Sequence, residues 1–248
     1  MNTDFHVPRI SGGRALIAGG CSKIGLATAR EFIDMGIDTL VFVGPDEDRA
    51  RTAIASLEDQ ARIEFIQADC FDPKQAAHAI NVAESSGAVH FVVTSPADSD
   101  FAIAPINRTD IESYATTLTR LTLPSLHVTH AALALMRQRR GGVIVNIACD
   151  AAEVPIPGKS VIGAAMASIV MFSRIAALEA KPDGVRINVL TPSLGLGPSA
   201  TDPAEHTDYT TPDGVARSIA FLCDHRSART SGQVISLNGG LPVSQSQK

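Results

Sequence analysis

The sequence predicts a doubly wound α/β domain, with seven parallel strands and helices on both faces of the sheet. Three observations carry this: short apolar runs alternate with longer helical patterns, helix starts are marked by caps, and a glycine-rich turn follows the first run. Ala15–Ala18, Thr39–Val43, Ile63–Gln67, His90–Thr94, Val143–Ala148, Arg186–Leu190 and Val234–Leu237 read as the strands. Intervening helical stretches are too long for hairpins, so the strands pair in parallel through right-handed crossovers. Asp72-Pro73 places a cap and then a proline at the first helical position, and Thr211-Pro212 repeats the device. Thr109-Asp-Ile-Glu112 reads as a capping box, the threonine and glutamate each closing a free backbone N–H.

All 248 residues read as one domain, because no composition shift separates two halves. Hydrophobic residues at 45% against 19% charged support a large core rather than a disordered chain. The net charge of −5 excludes nucleic acid as a partner, and the dense basic run Arg137-Gln138-Arg139-Arg140 ends a helical stretch, where cations complement the helix dipole. No segment reaches roughly 18 uninterrupted apolar residues, so no membrane span is expected. Met1–Gly13 resembles no leader, and a cytoplasmic location is the expectation. Cys21, Cys70, Cys149 and Cys223 lie far apart without a Cys-x-x-Cys pair, which argues for reduced, mostly buried thiols and against a metal site or disulfides.

Two helical stretches are apolar on nearly all sides. Leu121–Met136 has no charged residue, and Ser160–Ala180 has Arg174 and Glu179 alone. A helix exposed on one face carries a polar stripe, so these two are expected to be covered on their outer faces, by a second subunit or, less favoured, by the protein's own loops. Pro124 should kink the first of them. Residues 193–209 show no strand or helix period and follow a strand end, which suggests a lid-like loop.

Leu16-Ile-Ala-Gly-Gly-Cys-Ser-Lys-Ile-Gly25 follows the first strand and opens a helix. It resembles the Thr-Gly-x-x-x-Gly-x-Gly turn of the short-chain dehydrogenase/reductase family, which has a Rossmann-type fold. Asp69 after the third strand, Val143-Ile-Val-Asn-Ile147, Ile162-Gly-Ala-Ala-Met166, Val185-Arg-Ile-Asn-Val-Leu-Thr-Pro192 and Ser231-Gly-Gln-Val-Ile-Ser-Leu-Asn-Gly-Gly240 are similar to later blocks of that family, in the same order. The departures are as informative. The middle glycine of the turn is Lys23, whose side chain obstructs the approach of backbone to a pyrophosphate unless the lysine itself binds phosphate. The second strand ends Val43-Gly44-Pro45, with no acid for the ribose before Asp46. Thr94-Ser-Pro-Ala97 stands for Asn-Asn-Ala-Gly, and Pro192-Ser193 for Pro-Gly. Gly19, Lys23, Gly25 and Asp69 remain as residual candidates for a nucleotide contact, with a structural role favoured for Asp69, and no cofactor is expected in this chain.

The family resemblance implies a tyrosine whose proton is exchanged, a lysine four residues later that lowers its pKa, a serine and an asparagine. Spacing puts Ile162 in the tyrosine position, Met166 in the lysine position, Cys149 in the serine position and Leu121 in the asparagine position. The first two and Leu121 have no proton to exchange, and Cys149 keeps a weak donor. A slipped alignment does not help, since Tyr114 and Tyr209 are followed four residues on by Leu118 and Asp213. Lys159 reads as a solvated lysine near a helix start. His127 and His130 share a helix face at i, i+3 and read as packed or interface histidines, with no carboxylate at a supporting interval. No catalytic residue and no metal ligand is assigned.

The expected function is therefore an inactive subunit on this fold. Its partner would be an active short-chain dehydrogenase, joined through the helices around 111–137 and 160–180, or a second copy of itself. NAD or NADP would then sit in the active partner, whose substrate is a 3-hydroxyacyl-CoA or similar secondary alcohol. Two alternatives stand beside it: cofactor-independent chemistry such as cyclisation, dehydration or isomerisation, and a nucleotide-sensing regulator.

Overall fold

A computed structural model describes residues 9–57, 61–95, 101, 103–193 and 210–239. The seven strands are β1 (Arg14–Ala18), β2 (Thr39–Gly44), β3 (Arg62–Gln67), β4 (Phe91–Thr94), β5 (Gly142–Ile147), β6 (Val185–Pro192) and β7 (Val234–Leu237). They form one sheet in the order β3-β2-β1-β4-β5-β6-β7, with every pairing parallel. The chain reverses its winding between β1 and β4, and a sheet of this kind binds ligands outside the carboxyl ends of its strands at that switch. All seven predicted strands are present, the last with its expected bounds and the others with ends shifted by no more than two residues.

Side-chain alternation along each strand separates two cores. From β1, Ala15 and Ile17 face one cluster with Phe32 of α1 (Lys23–Asp34) and Ile219 of α6 (Pro212–Cys223). Leu16 and Ala18 face the other, with Ile80 of α3 (Pro73–Ser85), Val128 and Met136 of α4 (Ser113–Arg139) and Ala177 of α5 (Ser160–Ala180). Helices thus cover both faces, and α2 (Glu47–Ala55) joins β2 to β3. The charge of buried Arg186 is absorbed at the end of α6, where its guanidinium donates to the carbonyls of Leu222, Ser227 and Thr230.

The caps at Asp72 and Thr211 form as expected: each side chain accepts from the backbone N–H two or three residues on, Lys74 and Gly214. The capping box does not. The Thr109 hydroxyl donates to the carbonyls of Ala104 and Pro105 instead, and α4 starts four residues later, at Ser113. Pro124 lies inside α4 without ending it. The basic run closing α4 does more than answer the dipole, since Arg137 pairs with Asp183, Arg139 with Glu84, and Arg140 donates to the carbonyl of Pro182.

The expected outer apolar faces divide unequally. On α5, Met171, Ile175 and Leu178 are 52%, 50% and 73% exposed, a stripe at i, i+4, i+7. On α4 the most exposed positions between Leu121 and Met136 are His130 and Ala134, so the expectation of an uncovered apolar face belongs to α5 rather than α4. Ser160–Asp183 is also long and apolar enough to cross a membrane by length and composition. Its inner face is taken up by the protein itself, with Ala165, Met166, Ile169, Ala176 and Ala177 buried against the sheet. Cys70 and Cys223 are buried, Cys21 and Cys149 half-buried, and all four thiols are free.

Candidate functional site

The cleft begins at the turn after β1. Gly19 has φ +85°, and a Cβ there would lie 2.3 Å from the carbonyl oxygen of Ser95 at the end of β4. A Cβ on Gly25 would lie 2.4 Å from the oxygen of Gly19. Close packing of turn, helix and neighbouring strand thus requires glycine at both positions, whatever binds there. Ser22 caps α1 by accepting from the Gly25 N–H at 3.0 Å, and its hydroxyl lies 3.2 Å from that of Ser95. Lys23, the first residue of α1, is exposed.

The two acids nearest the adenosine end already have partners. Asp46 caps α2, accepting from the Arg49 N–H at 2.9 Å. Asp69 Oδ1 accepts from the Phe71 N–H at 3.0 Å, and Oδ2 lies 3.6 Å from an Arg120 nitrogen. Arg120 also sits over the Phe71 ring, 4.5 Å from its centroid. Burial raises the Cys21 thiol, with Arg49 opposing and Asp46 adding to the shift.

At the other end of the cleft the predicted positions come together. Leu121 and Met166 are buried in one apolar cluster with Ala148, Ala165, Ile169 and Val189, and Ile162 and Cys149 pack at its edge. Burial pushes the Cys149 thiol up; the Ala151 N–H and the Lys159 charge pull the other way, and Asp150 adds to the rise. Lys159 stands at the cap position of α5 with no side-chain cap bond. Gly163, beside Ile162, is needed for the approach of that helix to the preceding loop, since a Cβ there would be 2.7 Å from the Ala151 oxygen.

Two features of the cleft went unforeseen. Glu153 Oε2 accepts from the hydroxyls of Thr191 at 2.6 Å and Ser236 at 2.7 Å, tying the loop after β5 to the ends of β6 and β7. Arg120 reaches back to Asp69. Neither residue stands at a motif interval, so spacing gave no signal for it. Ser193, in place of a glycine after Pro192, is buried; its N–H donates to the Leu237 carbonyl at 3.0 Å and its carbonyl accepts from Thr210. Residues 194–209 of the expected lid, Tyr209 among them, lie outside the described residues. Tyr114 is in the first turn of α4, on the same helix as Leu121. His127 and His130 line a groove between α3 and α4 rather than the cleft. Among the described residues no cluster of three or more histidine, cysteine or acidic groups suits a metal.

The profile described as short chain dehydrogenase matches residues 14–206. The D-beta-hydroxybutyrate dehydrogenase of Cupriavidus necator is 25% identical over 255 residues, covering 93% of this chain and 98% of its own length. A protein of Xanthobacter autotrophicus named inactive 2-(S)-hydroxypropyl-CoM dehydrogenase 2 is 27% identical over 214 residues, 79% of this chain and 92% of its own. Among solved structures, the NADPH-bound short chain oxidoreductase of Pseudomonas aeruginosa PAO1, described as containing an atypical catalytic center, superposes with a TM-score of 0.84. It is 25% identical, over 96% of this chain and 100% of that one.

Proposed function

The chain belongs to the short-chain dehydrogenase family, and from that membership we propose that it is a non-catalytic subunit that assembles with an active short-chain dehydrogenase. The apolar cluster at Leu121, Ile162 and Met166 carries the reading. Interconverting an alcohol and a carbonyl requires a group that takes or gives the hydroxyl proton, and these side chains have none. Cys149 is the remaining donor, and its raised thiol makes it a weak one.

The nucleotide groups do not fit a dinucleotide as a set. The turn keeps its glycine geometry, but Lys23 projects from the position where backbone must approach phosphate. Asp46 and Asp69 are already bonded within the protein. NAD or NADP is therefore assigned to the partner. Cofactor-independent chemistry needs an open pocket at the same positions, and the burial of Leu121 and Met166 speaks against one.

Assembly is proposed through α5 and the adjoining α4, where the Met171, Ile175 and Leu178 stripe loses its contact with water on association. The substrate class of the complex is a 3-hydroxyacyl compound or similar secondary alcohol, supported by the activity named for the Cupriavidus relative. Co-expression with a motif-intact short-chain dehydrogenase from the same cell tests this. A hetero-oligomer on size exclusion, with turnover that survives Cys149→Ala here but not loss of the partner's tyrosine, is the expected result. Reduction of a carbonyl by the isolated chain with NADH or NADPH would overturn it.

A further inference from the structure

The groove between α3 and α4 contains a cavity of about 270 Å³, walled by Ala77, Ala134 and Leu135 and carrying Asn81, His127 and His130 as its polar members. Among the described residues its lining includes no carboxylate, ammonium or guanidinium. The space exceeds the ~150 Å³ that suffices for benzene in an apolar cavity and falls just short of drug-sized pockets.

The state of one histidine gives the cavity a directional group. His127 Nδ1 lies 3.1 Å from the carbonyl oxygen of Cys70. A carbonyl oxygen can only accept, so Nδ1 carries the hydrogen, and in the neutral ring Nε2 is left as an acceptor. The bond also fixes the ring, anchored by Cys70 in the turn between β3 and α3.

We propose that this cavity binds a neutral compound of one or two aromatic rings bearing a hydroxyl or N–H donor, of the phenol or indole class. Its ring would lie against the alanine and leucine walls and its donor would meet His127 Nε2. Neutrality follows from a lining without a formal charge to answer an ion. A divalent metal is disfavoured, because two imidazoles and an amide supply neither the usual ligand number nor a negative charge.

Calorimetry on the whole chain tests this with phenol, indole, toluene and zinc chloride as titrants. Saturable binding of phenol is expected, about fivefold tighter than toluene, the difference one neutral hydrogen bond makes. His127→Phe should bring the two to equal affinity. Ala134→Leu occupies the cavity from an exposed position, so the fold survives, as a thermal melt will verify, and phenol affinity should fall by about tenfold or more. The proposal fails if phenol shows no saturation at millimolar concentration, if wild type takes phenol and toluene equally, or if Ala134→Leu binds phenol like wild type. Zinc binding that displaces phenol would replace it with a metal site. The titrations use the isolated chain, whereas assembly is read by co-expression, so failure of one leaves the other standing.

Discussion

Helices α4 and α5 meet across two interiors of opposite character. At the cleft end, Leu118, Leu121 and Leu126 of α4 face Ile162, Met166 and Ile169 of α5 without a hydrogen bond among their side chains. Deeper along the same helices, Ser125 and Thr129 of α4 and Ser173 of α5 close a polar network around Asn146 of β5. Asn146 Oδ1 accepts from Thr94 at 2.7 Å and from Thr129 at 3.1 Å, and its amide donates to Ser173 at 2.8 Å. Thr94 also lies 3.2 Å from Ser125, and the Ser173 hydroxyl donates to the Ile169 carbonyl. The network is satisfied at each member, so it binds β4, β5 and both helices together. Polar side chains thus tie β4, β5 and both helices together in one interior, while in the other Leu121 and Met166 are buried among apolar side chains, with Ile162 and Cys149 at the edge.

The largest way to break that contrast is to place a charge at Met166, the position that spacing counts out for the family's lysine. Met166→Lys buries an ammonium among the apolar side chains of that cluster, at a cost of about 4 kcal/mol. Urea unfolding at neutral pH measures this, and a loss below about 1 kcal/mol would mean that the slot is open to water and the cluster is not a core. Next in size is Asn146→Ala, which leaves the Thr94 and Thr129 hydroxyls and Ser173 without their shared partner. A loss of about 3 kcal/mol is expected. An unchanged midpoint would reduce the network to a packing accident and remove the distinction between the two interiors.

How far the sequence reveals each interior follows from the kind of signal each leaves. The strands are legible because apolar runs of four to six residues with helices between them admit few other pairings, and the seven lie where expected. Caps are legible where a proline enforces them, as at Asp72 and Thr211. The threonine and glutamate at 109 and 112 match a capping motif, but the Thr109 hydroxyl finds carbonyls closer to hand in the preceding turn. The slots at Leu121, Cys149, Ile162 and Met166 could be counted out from spacing, and they converge in space. What spacing could not show is which polar residues meet across long intervals: Glu153 with Thr191 and Ser236, Arg120 with Asp69, Thr94 with Asn146. Each pair forms through the sheet order, and no periodicity records it.

The smallest expected effect concerns buried groups that are neither apolar filler nor network. Burial pushes the Cys70 and Cys223 thiols up to about 12, with Asp69 adding to the first and Arg186 opposing the second. A free thiol titrates near 8.5, so the unfolded chain loses these protons well before the folded one does. Stability from each thiol is complete below about pH 8.5 and falls as pH rises toward its folded value, by about 1.4 kcal/mol per unit. Comparing unfolding of wild type and Cys223→Ala at pH 8 and pH 10 under reducing conditions isolates the contribution of one thiol, since lysine and tyrosine titration is common to both. Wild type should lose about 1–2 kcal/mol more than the variant between those pH values. Equal losses would show that water reaches Cys223, and that the core between α6 and the sheet is looser than the cluster at Met166.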